Sequence, residues 1–181
     1  MPIAPRGIIR PIVPLEWTAG PCELRRALEL AVKPWEDTPF MVGQCCPGIG
    51  VDCTHFVCAV LDRLYGNEPR KIRRWKPGTG ITSIKAGATV LRHIVKMFPQ
   101  AYRVREVLEP GDTVALRYGR GTNHVALIGW KPNTIWHCPM GIGGRVSQMP
   151  LMMFTGRIVR AYRMRDRAVW WRKPGTGGGH G

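Results

Sequence analysis

The chain has 181 residues, of which 44% are hydrophobic, and it carries a formal net charge of +15. This length suits one domain with its own core and short extensions, and the hydrophobic fraction excludes disorder throughout. No apolar run approaches the roughly 20 residues of a membrane span. The charge predicts an anionic partner, such as a wall polymer, nucleic acid, lipid head groups or an acidic protein surface.

The first part of the chain predicts an arm followed by a helix. Residues 1–14 contain four prolines and predict an extended arm without a core of its own. They show no basic region followed by a continuous apolar stretch, so we expect no secretory signal. Residues 21–33 predict a helix, because apolar side chains recur there with helical spacing after Pro21.

A glycine-rich loop at 43–50 precedes a second predicted helix. This helix begins at Asp52 or Cys53 and ends at Gly66-Asn67, with apolar residues on one face. Residues 67–82 are basic and rich in Pro and Gly, which predicts a loop, and residues 84–97 predict a third helix.

In the second half of the chain, the hydrophobic period changes to two, which indicates strands. We predict strands near 113–118, 124–129, 134–138 and 157–164, with turns at 109–112, 119–122 and 131–133. Helices followed by antiparallel strands indicate an α+β fold. We therefore divide the chain into an N-terminal arm (1–14), one domain (15–165) and a basic, glycine-rich tail (166–181).

Cys53 is the candidate nucleophile. It follows the glycine-rich loop and opens a predicted helix, whose free N–H groups and partial positive charge favour a thiolate. Asp52 is a suitable cap for that helix. Cys53 lies four residues before the apolar Val57 and is expected to point toward the sheet.

A nucleophilic thiol needs a base, and five histidines are available. His180 lies in the tail, His93 has no evident partner, and His55 is two residues from Cys53, so it is expected to face away on the helix. His124 and His137 remain as candidates.

The spacing of these two histidines suggests that they form a pair. A turn centred between Trp130 and Lys131 would place His124 directly opposite His137 on one face of the sheet. Directly opposed Cβ atoms are roughly 4.5–5.5 Å apart, which suits a base and a residue that orients it. A slip of one residue would separate them onto opposite faces.

Five segments, in order over roughly residues 20–165, resemble the NlpC/P60 cysteine peptidase family. They are the residues Trp35-Glu36-Asp37-Thr38-Pro39-Phe40, Gly50-Val51-Asp52-Cys53-Thr54-His55-Phe56-Val57, Leu108-Glu109-Pro110-Gly111-Asp112-Thr113-Val114, Asn123-His124-Val125-Ala126-Leu127-Ile128 and Ile135-Trp136-His137. The resemblance implies a papain-like α+β fold, with N-terminal helices packed on a C-terminal antiparallel sheet. It also implies hydrolysis of amide bonds in peptidoglycan stem peptides, commonly between D-glutamate and a diamino acid.

By this resemblance Cys53 attacks the carbonyl, His124 moves the proton and His137 orients His124. The backbone N–H of Cys53 is then available to bind the oxyanion. The chain departs from the family pattern at two positions. Phe40 replaces a frequent Tyr, and His55 replaces a small residue next to the nucleophile.

Within the family, the chain resembles cell-wall hydrolases of phage and prophage tails. That resemblance implies a virion-tail location and partners among tail or hub proteins, bound through the arm and the tail. The protein would then act in the host cell wall or periplasm.

Other classes of function have weaker support. The chain contains several cysteines and histidines, which are the residue types that bind zinc. No Cys-x-x-Cys pair occurs among them, so we predict neither a metal nor another cofactor. Trp170-Trp171 beside arginines suit stacking on bases, yet no known nucleic-acid motif accompanies them, so we do not expect nucleic-acid binding. A structural tail-tip protein that keeps the fold with little activity is a further alternative. Asp112 is predicted to form a turn, and most of the six cysteines are expected to be free.

Overall fold

The computed structural model of the protein describes residues 22–65, 101–104, 107–118 and 121–164. Two helices come first: α1 spans Cys22–Val32 and α2 spans Cys53–Tyr65. A 3-10 turn at Lys33–Trp35 follows α1, where Pro34 prevents further helical hydrogen bonding. These bounds confirm the first two predicted helices.

The two helices are joined by a short two-stranded hairpin. Strand β1 (Cys45–Cys46) pairs antiparallel with β2 (Gly50–Val51), and β2 leads directly into α2. The predicted glycine-rich loop therefore contains a small sheet. Gly48 has φ +75 within the turn of this hairpin, a conformation that a glycine adopts without strain.

The main sheet has six antiparallel strands in the order β3-β8-β4-β5-β6-β7. Their bounds are β3 Ala101–Val104, β4 Thr113–Tyr118, β5 Gly121–Ile128, β6 Thr134–His137, β7 Ser147–Pro150 and β8 Ile158–Met164. A 3-10 segment at Leu151–Arg157 connects β7 to β8. The α+β class and the four predicted strands are confirmed, whereas β3, β7 and the 3-10 segment were not predicted.

Each face of the sheet carries its own core, because successive side chains along a strand point to opposite faces. On one face, Val125 and Leu127 pack with the buried side of α2. On the other face, Ala126 and Ile128 belong to a second cluster with Phe154 of the 3-10 segment. Cys53 belongs to the first of these clusters, whereas Phe154, whose ring contacts His137, belongs to the second.

Several predictions fall outside the described residues. They are the arm at 1–14, the loop at 67–82, the third helix at 84–97, the tail at 166–181, His93 and His180. In the part of the chain that the structure describes, no helix has the length and apolar character needed to cross a bilayer.

Candidate active site

The N-terminus of α2 is held by Asp52. One carboxylate oxygen, Oδ1, accepts the backbone N–H of Thr54 at 3.0 Å and that of His55 at 2.9 Å. These two hydrogen bonds satisfy N–H groups that have no partner within the helix. The prediction that Asp52 is a cap is confirmed, and the cap fixes the turn from which Cys53 projects.

The thiol of Cys53 is buried, with 8% of the residue exposed, and it lies against the sheet as predicted. The backbone N–H of Val125 in β5 interacts with its sulfur, and Thr54 Oγ1 lies 3.9 Å from it. The peptide nitrogen of Val125 is bonded to the carbonyl carbon of His124. The sulfur therefore contacts the peptide group that joins His124 to Val125.

The protonation state of Cys53 differs from the prediction. Burial raises the pKa of the Cys53 thiol to about 11, and the negative charge of Asp52 adds to the effect of burial. The hydrogen bonds from Val125 and Thr54 oppose this effect without cancelling it. The expected thiolate is thus wrong for this site, because desolvation outweighs the effect of the helix N-terminus there.

The predicted register between β5 and β6 is also wrong. Leu127 pairs with Trp136 and Ile128 with Ile135, so the turn is centred between Lys131 and Pro132. The two strands are shifted by two residues from the predicted pairing. An even shift keeps the histidines on the same face, because side chains alternate with a period of two.

His124 and His137 are hydrogen-bonded despite this shift. His124 Nε2 lies 3.1 Å from His137 Nδ1, and the two rings meet edge to face with centroids 5.3 Å apart. Both residues are buried, at 6% and 5% exposure. The structure therefore brings together the two histidines selected from the sequence.

Two aromatic rings enclose the histidine pair. Tyr118 of β4 contacts the ring of His124 edge-on at 5.5 Å, and Phe154 contacts that of His137 at 5.0 Å. Neither residue was predicted to belong to the site, since the chain around them carries no motif. Their rings limit the orientations that the imidazoles can adopt.

Burial keeps both imidazoles neutral. Desolvation, with a smaller contribution from His137, lowers the pKa of His124 to about 3. Desolvation lowers the pKa of His137 to about 4. At neutral pH the pair is therefore uncharged, and His124 has a lone pair available to accept a proton.

Residues next to the two histidines contact β2 and the start of α2. The β5–β6 ladder ends at Leu127 and Trp136, and beyond it β5 reaches Cys53 through Val125. The residue after His137, Cys138, donates its thiol to the carbonyl of Val51 at 3.4 Å. The residues that follow His124 and His137 in the chain therefore contact α2 and β2, respectively.

His55 contacts Asp52, and its spacing from Cys53 did not predict this contact. Its ring is buried and its Nδ1 lies 2.7 Å from Asp52 Oδ2. The relevant signal was the i, i+3 spacing of Asp52 and His55, which places the two side chains on one helical turn. His55 therefore contacts the cap of the nucleophile's helix.

Asp112 has a structural role, as predicted for a turn residue. Its Oδ2 accepts the backbone N–H of Glu109 at 2.8 Å, and both carboxylate oxygens bind the guanidinium of Arg163 at 2.8 Å. Burial raises the pKa of Asp112, against the opposing effect of Arg163. This arrangement fixes the turn before β4 and does not reach the histidines.

All six cysteines lie in the described part of the chain, and none of them forms a disulfide there. Within the described ranges, no group of three or more His, Cys, Asp or Glu side chains is arranged to hold a metal ion. Phe40, at the position where the resembling family often has Tyr, packs half-buried against the core.

A scan against protein-family models found no match, and a search of curated proteins found none either. Among solved structures, the chain is similar to the NlpC/p60 domain of the peptidoglycan hydrolase SagA, with 19% identity over 77% of this chain and 97% of that one and a TM-score of 0.48. It is similar to a protein of the NLP/P60 family, described as similar to a lipoprotein, from Staphylococcus aureus subsp. aureus Mu50, at 15% identity over 82% of this chain and 44% of that one, with a TM-score of 0.49.

A third similar structure is NlpC1 from Trichomonas vaginalis, at 12% identity and a TM-score of 0.51. The match covers 82% of this chain and 48% of that one, so this chain spans about half the length of that protein. At such identities the likeness to NlpC1 shows the fold alone, and that fold is the α+β fold of NlpC/P60 domains. Its function depends on the side chains that this chain places on the fold.

Proposed function

We propose that the protein is a cysteine hydrolase in which Cys53 is the nucleophile, His124 the base and His137 the residue that orients it. The observation that carries this proposal is the 3.1 Å hydrogen bond between His124 Nε2 and His137 Nδ1, next to the Val125 N–H that reaches the Cys53 sulfur. A thiol, a base and a third group that orients the base form the arrangement that nucleophilic catalysis requires.

The hydrogen bond defines the tautomers that the reaction needs. Because Nε2 of His124 is engaged by His137, Nδ1 of His124 is the ring nitrogen that takes the proton from Cys53. His124 must then carry its own proton on Nε2 and donate it to Nδ1 of His137. His137 has to be neutral for this, and burial, which lowers its pKa to about 4, meets that condition.

The first half of the reaction starts from a neutral thiol and a neutral imidazole. As the Cys53 sulfur attacks the amide carbonyl, its proton passes to His124, and the carbonyl oxygen becomes an oxyanion. The backbone N–H of Cys53, at the N-terminus of α2, is available to bind that oxyanion. His124 then protonates the leaving amine as the C–N bond breaks, which leaves a thioester on Cys53.

Water completes the cycle. His124 takes a proton from a water molecule as that water attacks the thioester, and the same proton returns to the Cys53 sulfur as it leaves. The products are the regenerated thiol and a carboxylic acid, which loses its remaining proton to solvent.

For the substrate, we propose an amide bond in a peptidoglycan stem peptide. The five motifs that resemble the NlpC/P60 family and the NlpC/P60 fold support this choice. The net charge of +15 supports it as well, because cell walls carry anionic polymers.

Digestion of purified peptidoglycan by the wild-type protein and by Cys53→Ala, with mass spectrometry of the soluble products, tests the proposal. We expect new stem-peptide fragments from the wild type alone, and their masses name the bond. Cys53→Ser serves as a near-isosteric control for the fold. If both folded proteins release nothing, or the variant releases the same fragments, the proposal is wrong.

We further propose that the enzyme acts as part of a phage tail that opens the host wall. The support is the resemblance to tail-associated hydrolases, together with the proline-rich and glycine-rich terminal segments of the sequence. Quantitative mass spectrometry of gradient-purified virions should find the chain at a fixed ratio to the tail proteins. Its absence from intact particles would overturn this location and leave the hydrolase proposal intact.

A further inference from the structure

The 3-10 segment before β8 lies beside the histidine pair. Phe154 of this segment contacts the ring of His137, with centroids 5.0 Å apart. Arg157, the last residue of the segment, lies over the ring of Tyr118, with its guanidinium carbon 4.8 Å from the ring centroid. Tyr118 in turn meets the ring of His124 edge to face at 5.5 Å. A single aromatic ring therefore separates the guanidinium from the proposed base.

Arg157 presents its positive charge to solvent. The residue is exposed, and among the described residues no carboxylate forms an ion pair with it. Arg163, by contrast, binds the buried carboxylate of Asp112. Burial raises the pKa of the Tyr118 hydroxyl, an effect that the guanidinium opposes, so this hydroxyl is neutral at neutral pH. Tyr118 therefore leaves the charge of Arg157 in place.

The contact with Tyr118 orders the guanidinium and leaves most of its donors available. A cation is attracted to the face of an aromatic ring, which restricts where the end of the Arg157 side chain lies. The side chain also hydrogen-bonds to the Tyr118 hydroxyl, but a guanidinium carries five N–H donors in a fixed fork. This fork matches the two oxygens of a carboxylate, which two parallel N–H groups bind at once.

The proposed reaction places the leaving group on the same side of the site. His124 protonates the leaving amine, so the atoms bonded to that nitrogen must lie close to the His124 ring. On the far side of the pair, His137 and Phe154 are both buried, each with 5% of the residue exposed. Tyr118 is only half-buried, so the pair is more open on the side where Tyr118 and Arg157 lie.

We propose that Arg157 determines specificity by binding a carboxylate on the leaving-group half of the substrate. The substrates are then peptides that carry a free carboxylate within one or two residues after the cleaved bond. Tyr118 holds the guanidinium for this contact, and the carboxylate supplies the anion that Arg157 lacks among the described residues. This inference rests on the proposed function, because it assigns a substrate contact to the same site.

The test uses two soluble stem tetrapeptides of the same sequence. In one, the carboxylates of the last two residues are free, and in the other they are carboxamides. The C-terminal end of a peptide lies on the amine side of any main-chain bond that is cleaved. We expect Arg157→Gln to lower kcat/KM for the free-acid peptide about tenfold, through KM, and to change that for the carboxamide by less than about twofold.

Arg160→Gln is the matched control. It removes the same charge from another exposed position, on β8, and should leave the wild-type preference for the free acid unchanged. Three results would overturn the inference. They are equal losses on both peptides in Arg157→Gln, no loss in the folded variant, and an equal loss of preference in Arg160→Gln, which would attribute the effect to net charge.

Binding separates this inference from the proposed hydrolysis. Isothermal titration calorimetry in the Cys53→Ala background should show about tenfold tighter binding of the free-acid peptide than of the carboxamide, and adding Arg157→Gln should remove the difference. That result without any cleavage by the wild type would sustain the role of Arg157 and reject the hydrolase. Cleavage that depends on Cys53, with equal binding of both peptides, would sustain the hydrolase and reject the role of Arg157.

Discussion

His124 and His137 are joined by a hydrogen bond of 3.1 Å from Nε2 to Nδ1, although they are not partners in the β5–β6 ladder. Extending that ladder would place Ala126 opposite His137, so the two imidazoles meet diagonally across the strands. Diagonal neighbours on one face of a sheet remain within reach of ring-sized side chains. The contact thus depends on which face each histidine occupies and on the length of its side chain.

The first prediction concerns the role of His137 as an acceptor. We expect His137→Ala to lower kcat/KM on the order of 10²-fold, because His124 loses the bond that sets its tautomer, while His124→Ala abolishes measurable turnover. His137→Asn retains an acceptor oxygen and should recover part of the lost activity. Steady-state kinetics on a soluble stem-peptide amide measure all three variants. Equal losses in His137→Asn and His137→Ala would contradict an orienting role.

The second prediction concerns the acid limb of the pH profile. Burial lowers the pKa of His137 to about 4 and that of His124 to about 3, whereas an unperturbed histidine titrates near 6.5. Protonation of either ring removes the acceptor that catalysis needs. As pH falls, kcat/KM should therefore stay level through pH 6 and decline only near 4. Rates measured from about pH 3.5 to 8, with circular dichroism to confirm folding, test this expectation. A decline centred on pH 6.5 in folded protein would disprove it.

The same two pKa shifts make the stability of the fold depend on pH. Between about pH 6.5 and 4 the unfolded chain binds more protons at His124 and His137 than the folded chain does. The free energy of unfolding should accordingly fall as pH is lowered through this range. Urea unfolding at about pH 7.5 and 5 should show a smaller decrease for His124→Gln than for the wild type. An identical decrease in both proteins would show that the imidazole is not buried in its neutral form.

The sequence predicted the chemistry of this site better than its electrostatics. Cys53 and the two histidines were selected from residue type and spacing. An error of two residues in register left the two histidines on the same face of the sheet, because alternation has a period of two. The state of the thiol was not predictable in this way. It depends on how completely the sheet and α2 exclude water from the sulfur, which a linear motif does not encode.

The unpredicted strands have local explanations. Strand β3 has only four residues, Ala101–Val104, and takes its place at the sheet edge by pairing with β8. Strand β7, Ser147–Pro150, contains Gln148 and ends in a proline, which is tolerated because this is the other edge of the sheet. Hydrophobic alternation identifies strands that are buried on at least one face, and edge strands of this kind show it weakly.

A further prediction concerns Arg163, which holds the turn before β4. Its guanidinium donates to both oxygens of Asp112, to Glu109 Oε1 at 2.7 Å and to the carbonyl of Val107 at 2.7 Å. Arg163→Ala leaves the buried Asp112 without its cation and should lower the free energy of unfolding by about 3–5 kcal/mol. Arg145→Ala is the control.

The control residue Arg145 pairs with Asp37 at 4.0 Å, and both side chains are largely exposed. Its removal should change stability by no more than about 0.5 kcal/mol. Urea denaturation of the two variants beside the wild type measures the difference. Similar midpoints for Arg163→Ala and Arg145→Ala would show that the buried arrangement around Asp112 does not stabilise the fold.

The last prediction concerns the loop after His137. A Cβ added at Gly144 would lie 2.1 Å from the carbonyl oxygen of Pro139. This oxygen belongs to the backbone, which cannot move aside as a flexible side chain can. The Gly144 carbonyl also accepts the N–H of Phe40 at 2.7 Å, so a displaced loop would disturb the segment beside β2. We expect Gly144→Ala to destabilise the protein by about 1–3 kcal/mol and to lower kcat. Gly156→Ala, where an added Cβ meets nothing within 4 Å, should leave both quantities near wild type. Thermal unfolding and turnover of the two alanine variants test this prediction. A Gly144→Ala protein as stable as Gly156→Ala would show that the loop is free to move away from Pro139.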